Sequence, residues 1–65
     1  MFRVEIEFKY KLSGETRYEL FEVDNMDEID GVAAQFLKKA CKGKYRMFYE
    51  DKKPEDFEMR INDIG

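Results

Sequence analysis

The chain has 65 residues, 43% apolar, 15% aromatic and 42% charged, with a formal net charge of −3. That length allows one domain burying only about 60% of its unfolded surface, and the apolar share is too high for disorder. The acidic balance disfavours nonspecific attraction to nucleic acid, and the lack of histidine removes the commonest general base and transition-metal ligand.

The run FRVEIEFKYKL alternates strictly, with Phe2, Val4, Ile6, Phe8, Tyr10 and Leu12 on one side and Arg3, Glu5, Glu7, Lys9 and Lys11 on the other. This is the pattern of a half-buried strand. Ser13 and Gly14 supply turn chemistry, so a hairpin is expected. Its second strand poses a conflict, because in YELFEV the residues Tyr18 and Leu20 claim one face while Phe21 and Val23 claim the other.

Three registers answer that conflict. A three-residue loop puts Tyr18 and Leu20 inside and leaves Phe21 and Val23 outward. A bulge near Phe21 keeps Tyr18, Leu20 and Val23 inside. A tight Ser13–Gly14 turn brings Phe21 and Val23 inside but sets Glu19 in the core opposite Phe8, where an unpartnered carboxylate costs several kcal/mol by a rough estimate. The first two registers are preferred, and in both Phe21 lies on or near the open face.

Next, Asn25 and Glu28 form a capping-box pattern that opens a helix over about 26–42. Met26, Ile29, Val32, Ala33, Phe36, Leu37, Ala40 and Cys41 recur at spacings of three and four, which makes one apolar stripe. Lys38, Lys39 and Lys42 crowd the last turn, and Gly43 follows where a left-handed cap is expected. Gly31 falls on the solvent side of this helix, where glycine brings no packing return. KYRMFYE then reads as a third strand, with Tyr45, Met47 and Tyr49 opposed to Arg46 and Phe48. After the polar stretch around Pro54, a fourth strand carries Phe57, Met59 and Ile61 inward, and 62–65 form a tail.

The resulting order is ββαββ. Burial is greatest if the first and last strands lie parallel at the centre, giving an α+β domain with a four-stranded mixed sheet of order 2-1-4-3 and the helix on one face. With the hairpin around LSGET, one amphipathic helix and a strand opening GKYR, this layout resembles the β-grasp fold, in topology the small immunoglobulin-binding domains of protein G. The resemblance implies that fold and carries over no functional residues.

Function is read from surfaces. An open sheet face bearing Phe21 and Phe48, with Tyr18 and Arg46 beside them, presents aromatic anchors among charges and points to a non-enzymatic protein-binding domain, an inhibitor, adaptor or regulatory subunit. The free edge of the second strand offers a route to a homodimer. The alternative is a weak nucleic-acid binder using Lys38, Lys39, Lys42 and Lys44. Cys41 continues the apolar stripe and reads as a core residue, with no second cysteine for an internal disulfide. No cofactor or metal is indicated. The apolar runs are short of the roughly 20 residues that span a bilayer, no signal pattern opens the chain, and a cytoplasmic location is expected.

Overall fold

The computed structural model describes residues 1–43 and 47–65. Its elements are strand β1 (Phe2–Tyr10), strand β2 (Thr16–Val23), helix α1 (Ile29–Lys42) and strand β3 (Phe57–Ile64), with short 3-10 turns at Met26–Glu28 and Pro54–Asp56. The strands form one antiparallel sheet in the order β2-β1-β3. The chain is therefore α+β, but the expected four-stranded mixed sheet of order 2-1-4-3 is not what forms. The parallel central pair on which the resemblance to the β-grasp fold rested is absent as well.

The reason lies between α1 and β3. Met47 to Asp51 are turns rather than strand, and Asp51 takes a left-handed backbone with φ 62°. Lys44, Tyr45 and Arg46, where the third strand was expected to begin, lie outside the described residues. A strand must send Phe48 and Tyr49 to opposite faces. Here both pack toward the core, their rings edge to face at 5.0 Å, and Tyr49 is almost wholly enclosed.

This exchange of a strand for a wedge also reverses the last strand. β2 ends opposite Phe2, and α1 carries the chain back toward the hairpin, setting Phe36 against Phe8 and Phe21. A third strand would have crossed the sheet again and let the fourth return parallel to β1. Turns leave the chain where it is, so β3 starts with Phe57 opposite Tyr10 and runs antiparallel to β1. It continues past Ile61 to Ile64, and Gly65 exchanges both backbone hydrogen bonds with Arg3 (3.0 and 2.7 Å), so the expected tail is part of the sheet.

The hairpin takes none of the three expected registers. Val4 faces Phe21, Ile6 faces Glu19 and Phe8 faces Arg17. Four residues, Lys11 to Gly14, form the loop. The Tyr10 N–H donates to the Glu15 carbonyl (2.9 Å) and the Gly14 N–H to the Tyr10 carbonyl (2.8 Å). Gly14 sits at φ 80°, a conformation costly for residues with a Cβ. Leu12 is thus an exposed loop residue and not the last core position of β1. Phe21 and Val23 point inward, as the tight turn would have had them.

The objection to that facing was the stranded Glu19 carboxylate, and the structure answers it directly. Glu19 is only half-buried on an edge strand, and its Oε2 accepts a hydrogen bond from the Tyr49 hydroxyl at 2.8 Å. A bulge does occur, but in β3, where Asn62 is the extra residue opposite Glu5 and Ile6.

The core joins Val4, Ile6, Phe8 and Val23 from the sheet to Ile29, Ala33, Leu37, Ala40 and Cys41 from α1, with Tyr49 and Phe57. Tyr49 is its centre, with rings of Phe8, Phe36, Phe48 and Phe57 all 5.0–5.8 Å away. Of the predicted helical stripe, Ile29, Ala33, Leu37, Ala40 and Cys41 are buried, Met26 and Phe36 are partly buried against them, and Val32 is exposed.

The helix starts slightly differently from its expected capping box. Asn25 Oδ1 accepts from the Asp27 N–H (3.1 Å), while Glu28 contributes its backbone N–H to the Asn25 carbonyl (3.0 Å) within the 3-10 turn. Gly43 closes the helix in an extended conformation, φ −80° and ψ 173°, and not in the expected left-handed one.

Gly31 lies on the exposed side of α1, and a Cβ placed there meets nothing within 4 Å. Gly31→Ala is expected to stabilise the fold by about 0.5–1 kcal/mol through helix propensity and a less disordered unfolded chain. For a domain of this size that raises the melting temperature by roughly 2–8 °C, read by thermal circular dichroism. A lower melting temperature would show that the helix back makes a contact the isolated chain needs.

Candidate protein-interaction surfaces

The side of the sheet away from α1 is open. It carries Arg3, Glu5, Glu7 and Lys9 from β1, Tyr18, Leu20 and Glu22 from β2, and Glu58 and Arg60 from β3. Its charges are largely matched within the chain. Arg60 Nη2 lies 3.2 Å from Glu7 Oε1, Arg3 Nε lies 3.9 Å from Glu22 Oε1, and Asn62 Nδ2 donates to Glu5 Oε1 at 2.6 Å. A shallow polar depression lined by Glu7, Lys9, Glu58 and Arg60 marks its β3 side. The apolar content of this face is Tyr18 and Leu20, 54% and 62% exposed on neighbouring strand positions of one face.

Of the four residues expected to anchor a partner, the three described are therefore scattered. Tyr18 stands on the open face. Phe21 does not: its ring faces inward, against Phe8 at 6.3 Å and Phe36 at 5.3 Å. Phe48 lies in the turn after α1, half-buried on Tyr49 and Phe57, with the Arg17 guanidinium 4.8 Å above its ring and the Lys52 ammonium 5.8 Å away. These cations cover what would otherwise be an exposed aromatic face. Arg46 lies outside the described residues. Leu20, which takes the outward place intended for Phe21, was missed because the register went the other way.

Of the lysines in the nucleic-acid alternative, Lys38, Lys39 and Lys42 are exposed on α1, and Lys44 lies outside the described residues. Lys39 and Lys42 occupy the last helical turn, where the helix dipole alone accounts for cations. Cys41 is buried, and that burial raises its thiol pKa above the ordinary 9.0 despite the opposing pull of Lys52, so at neutral pH the group is a protonated core side chain. Among the described residues no three His, Cys, Asp or Glu side chains gather where they would hold a metal ion.

A different surface emerges on the helix side of the sheet. Met59 pairs with Phe8, Ile61 with Ile6 and Ile64 with Val4, so all three share the face that α1 covers. Their β1 partners are sealed, yet Met59, Ile61 and Ile64 are 44%, 44% and 50% exposed. The helix packs toward β1 and β2 and leaves β3 bare beyond the buried Phe57. Alternation correctly assigned Met59 and Ile61 to the apolar face; nothing in the chain's period shows that one helix is too narrow to reach the third strand.

The backbone of β3 is unpaired along its outer edge among the described residues. Which groups point there follows from the ladder. The Lys11 N–H donates to the Asp56 carbonyl (2.9 Å), and antiparallel bonding alternates, so Glu58 and Arg60 turn their backbone groups toward β1. Phe57, Met59 and Ile61 therefore turn theirs outward. The Phe57 N–H agrees, since it donates to the Pro54 carbonyl and not to β1. The N–H and C=O of Met59 and of Ile61 face the free edge.

Comparison with protein-family models, with curated proteins and with solved structures finds no match for this chain. No helix among the described residues is long and apolar enough to cross a membrane.

Proposed function

We propose that this chain is a non-enzymatic protein-interaction domain of the cytoplasm that binds its partner along β3, through the unpaired edge and the apolar strip of Met59, Ile61 and Ile64. One observation carries the reading: three aliphatic side chains on the core face of the sheet stay about half exposed beside an open backbone edge. Such an edge invites strand addition, in which backbone hydrogen bonds supply affinity and the adjacent side chains supply selectivity. Natural edge strands usually carry a blocking feature; here the bulge at Asn62 bends only the far end, leaving 57–61 regular. The open face, where Arg3, Glu5, Glu7, Glu22 and Arg60 already have side-chain partners within the chain, is the weaker surface. The lone buried Cys41 suits a reducing compartment.

Capture of partners from the source cell by the immobilised domain tests this. Met59→Lys with Ile61→Lys places two charges on the strip at sites already open to water, so the fold is expected to survive and capture to fall at least about tenfold, the loss of two interface anchors. Leu20→Lys on the opposite face is expected to leave capture unchanged. Undiminished capture by the β3 variant, with circular dichroism unchanged, would overturn the reading.

A further inference from the structure

The partner that β3 fits best is written in β3 itself. Resting on the reading of this edge as the binding surface, we infer that its occupant is a second copy of the chain, joined by antiparallel β3–β3 pairing about a two-fold axis at Met59.

Three features converge on that register. The first is backbone parity. A symmetric antiparallel pair must set outward-facing backbone groups against outward-facing ones, and an axis at Met59 does so, opposing Met59 to Met59 and Phe57 to Ile61. Met59 then exchanges two hydrogen bonds with its counterpart, and each Ile61 N–H donates to the Phe57 carbonyl of the other copy. The Phe57 N–H, held by Pro54, is not required.

The second is charge. With Met59 on the axis, Glu58 of one copy stands opposite Arg60 of the other, twice, on the open face. Moving the axis to Arg60 would set Arg60 against Arg60, a like-charge pair directly opposed.

The third is the apolar strip. The same axis sets Met59 against Met59 and Ile61 against Phe57 on the helix side, and the two-fold keeps both helices on that side. The exposed halves of Met59 and Ile61 become the floor of a trough between them. The result is a continuous six-stranded sheet, β2-β1-β3-β3-β1-β2, in which the bare edge is closed and the apolar strips of the two copies meet.

Charge reversal tests the register. Glu58→Arg turns both Glu58–Arg60 pairs into repulsive Arg–Arg pairs, and Arg60→Glu turns them into Glu–Glu pairs. Each single variant is expected to raise the dimer dissociation constant by about tenfold or more in sedimentation equilibrium, since two cross-strand pairs change from attraction to repulsion. The double variant E58R/R60E restores opposite charges and is expected to return to the wild-type constant. Mixing E58R with R60E gives a heterodimer with both pairs attractive, so the mixture is expected to associate where neither variant does alone.

That rescue separates the interface from any loss of the internal Arg60–Glu7 contact, which mixing does not repair. A wild-type chain that stays monomeric to about 1 mM, or an E58R and R60E mixture no more associated than its components, would overturn the second copy as occupant. If partner capture still fails in the Met59→Lys, Ile61→Lys variant under those results, β3 remains the binding edge and a different chain sits on it. If capture is undiminished as well, the edge reading falls too.

Discussion

Tyr49→Ala is expected to remove much of the protein's stability at room temperature. Tyr49 is 1% exposed, the largest of the fully buried side chains, and its ring touches the four aromatics that join β1, α1 and the start of β3. Truncating a buried aromatic to alanine costs about 3–5 kcal/mol, transfer and cavity terms together. A domain of this length has only roughly 3–10 kcal/mol of total stability, at about 0.05–0.15 kcal/mol per residue. Urea titration followed by near-ultraviolet and far-ultraviolet circular dichroism reads the loss. Tyr49→Phe keeps the ring and removes the hydroxyl donor to Glu19, so it is expected to cost about 1–2 kcal/mol and remain folded. A Tyr49→Ala protein as stable as the wild type would mean that the turn after α1 is not a wedge in the core.

Neighbouring residues on β2 are expected to respond in opposite ways. Phe21→Ser removes a ring packed edge to face on Phe36 and leaves a hydroxyl on the helix side, for a loss of about 2–4 kcal/mol. Leu20→Ser acts on a side chain 62% exposed on the open face and is expected to stay within about 0.5 kcal/mol of the wild type. The contrast depends on register alone, because a shift of one residue exchanges the two faces. Equal effects, or a larger loss for Leu20→Ser, would contradict the pairing of Phe21 with Val4. The result also bears on any test of the open face through Phe21: loss of binding there would report a damaged core.

The aromatic wedge and the β2 register are linked physically. Glu19 is accommodated on the helix side because Tyr49 brings it a hydroxyl, and Tyr49 arrives there because its segment turns rather than extends. A strand at 45–49 would have presented Tyr49 differently, and the carboxylate would then have favoured one of the other registers. A single tertiary contact thus accompanies the hairpin pairing, the strand count and the direction of β3.

What the residues determined alone is local and periodic. The alternation from Phe2 to Tyr10, the stripe from Ile29 to Cys41, the cap at Asn25 and the alternation from Phe57 to Ile61 each rest on neighbours a few positions away, and backbone geometry converts such spacing directly into facing. The register of β2, the turn at Met47–Asp51 and the uncovered strip on β3 were decided only in three dimensions. Each depends on contacts between residues far apart in the chain: Tyr49 with Glu19, Phe48 with Phe57, and a helix whose width covers two strands and leaves most of the third exposed. Periodicity says which side of a strand is apolar, whereas the reach of the covering helix says how much of that side remains in water.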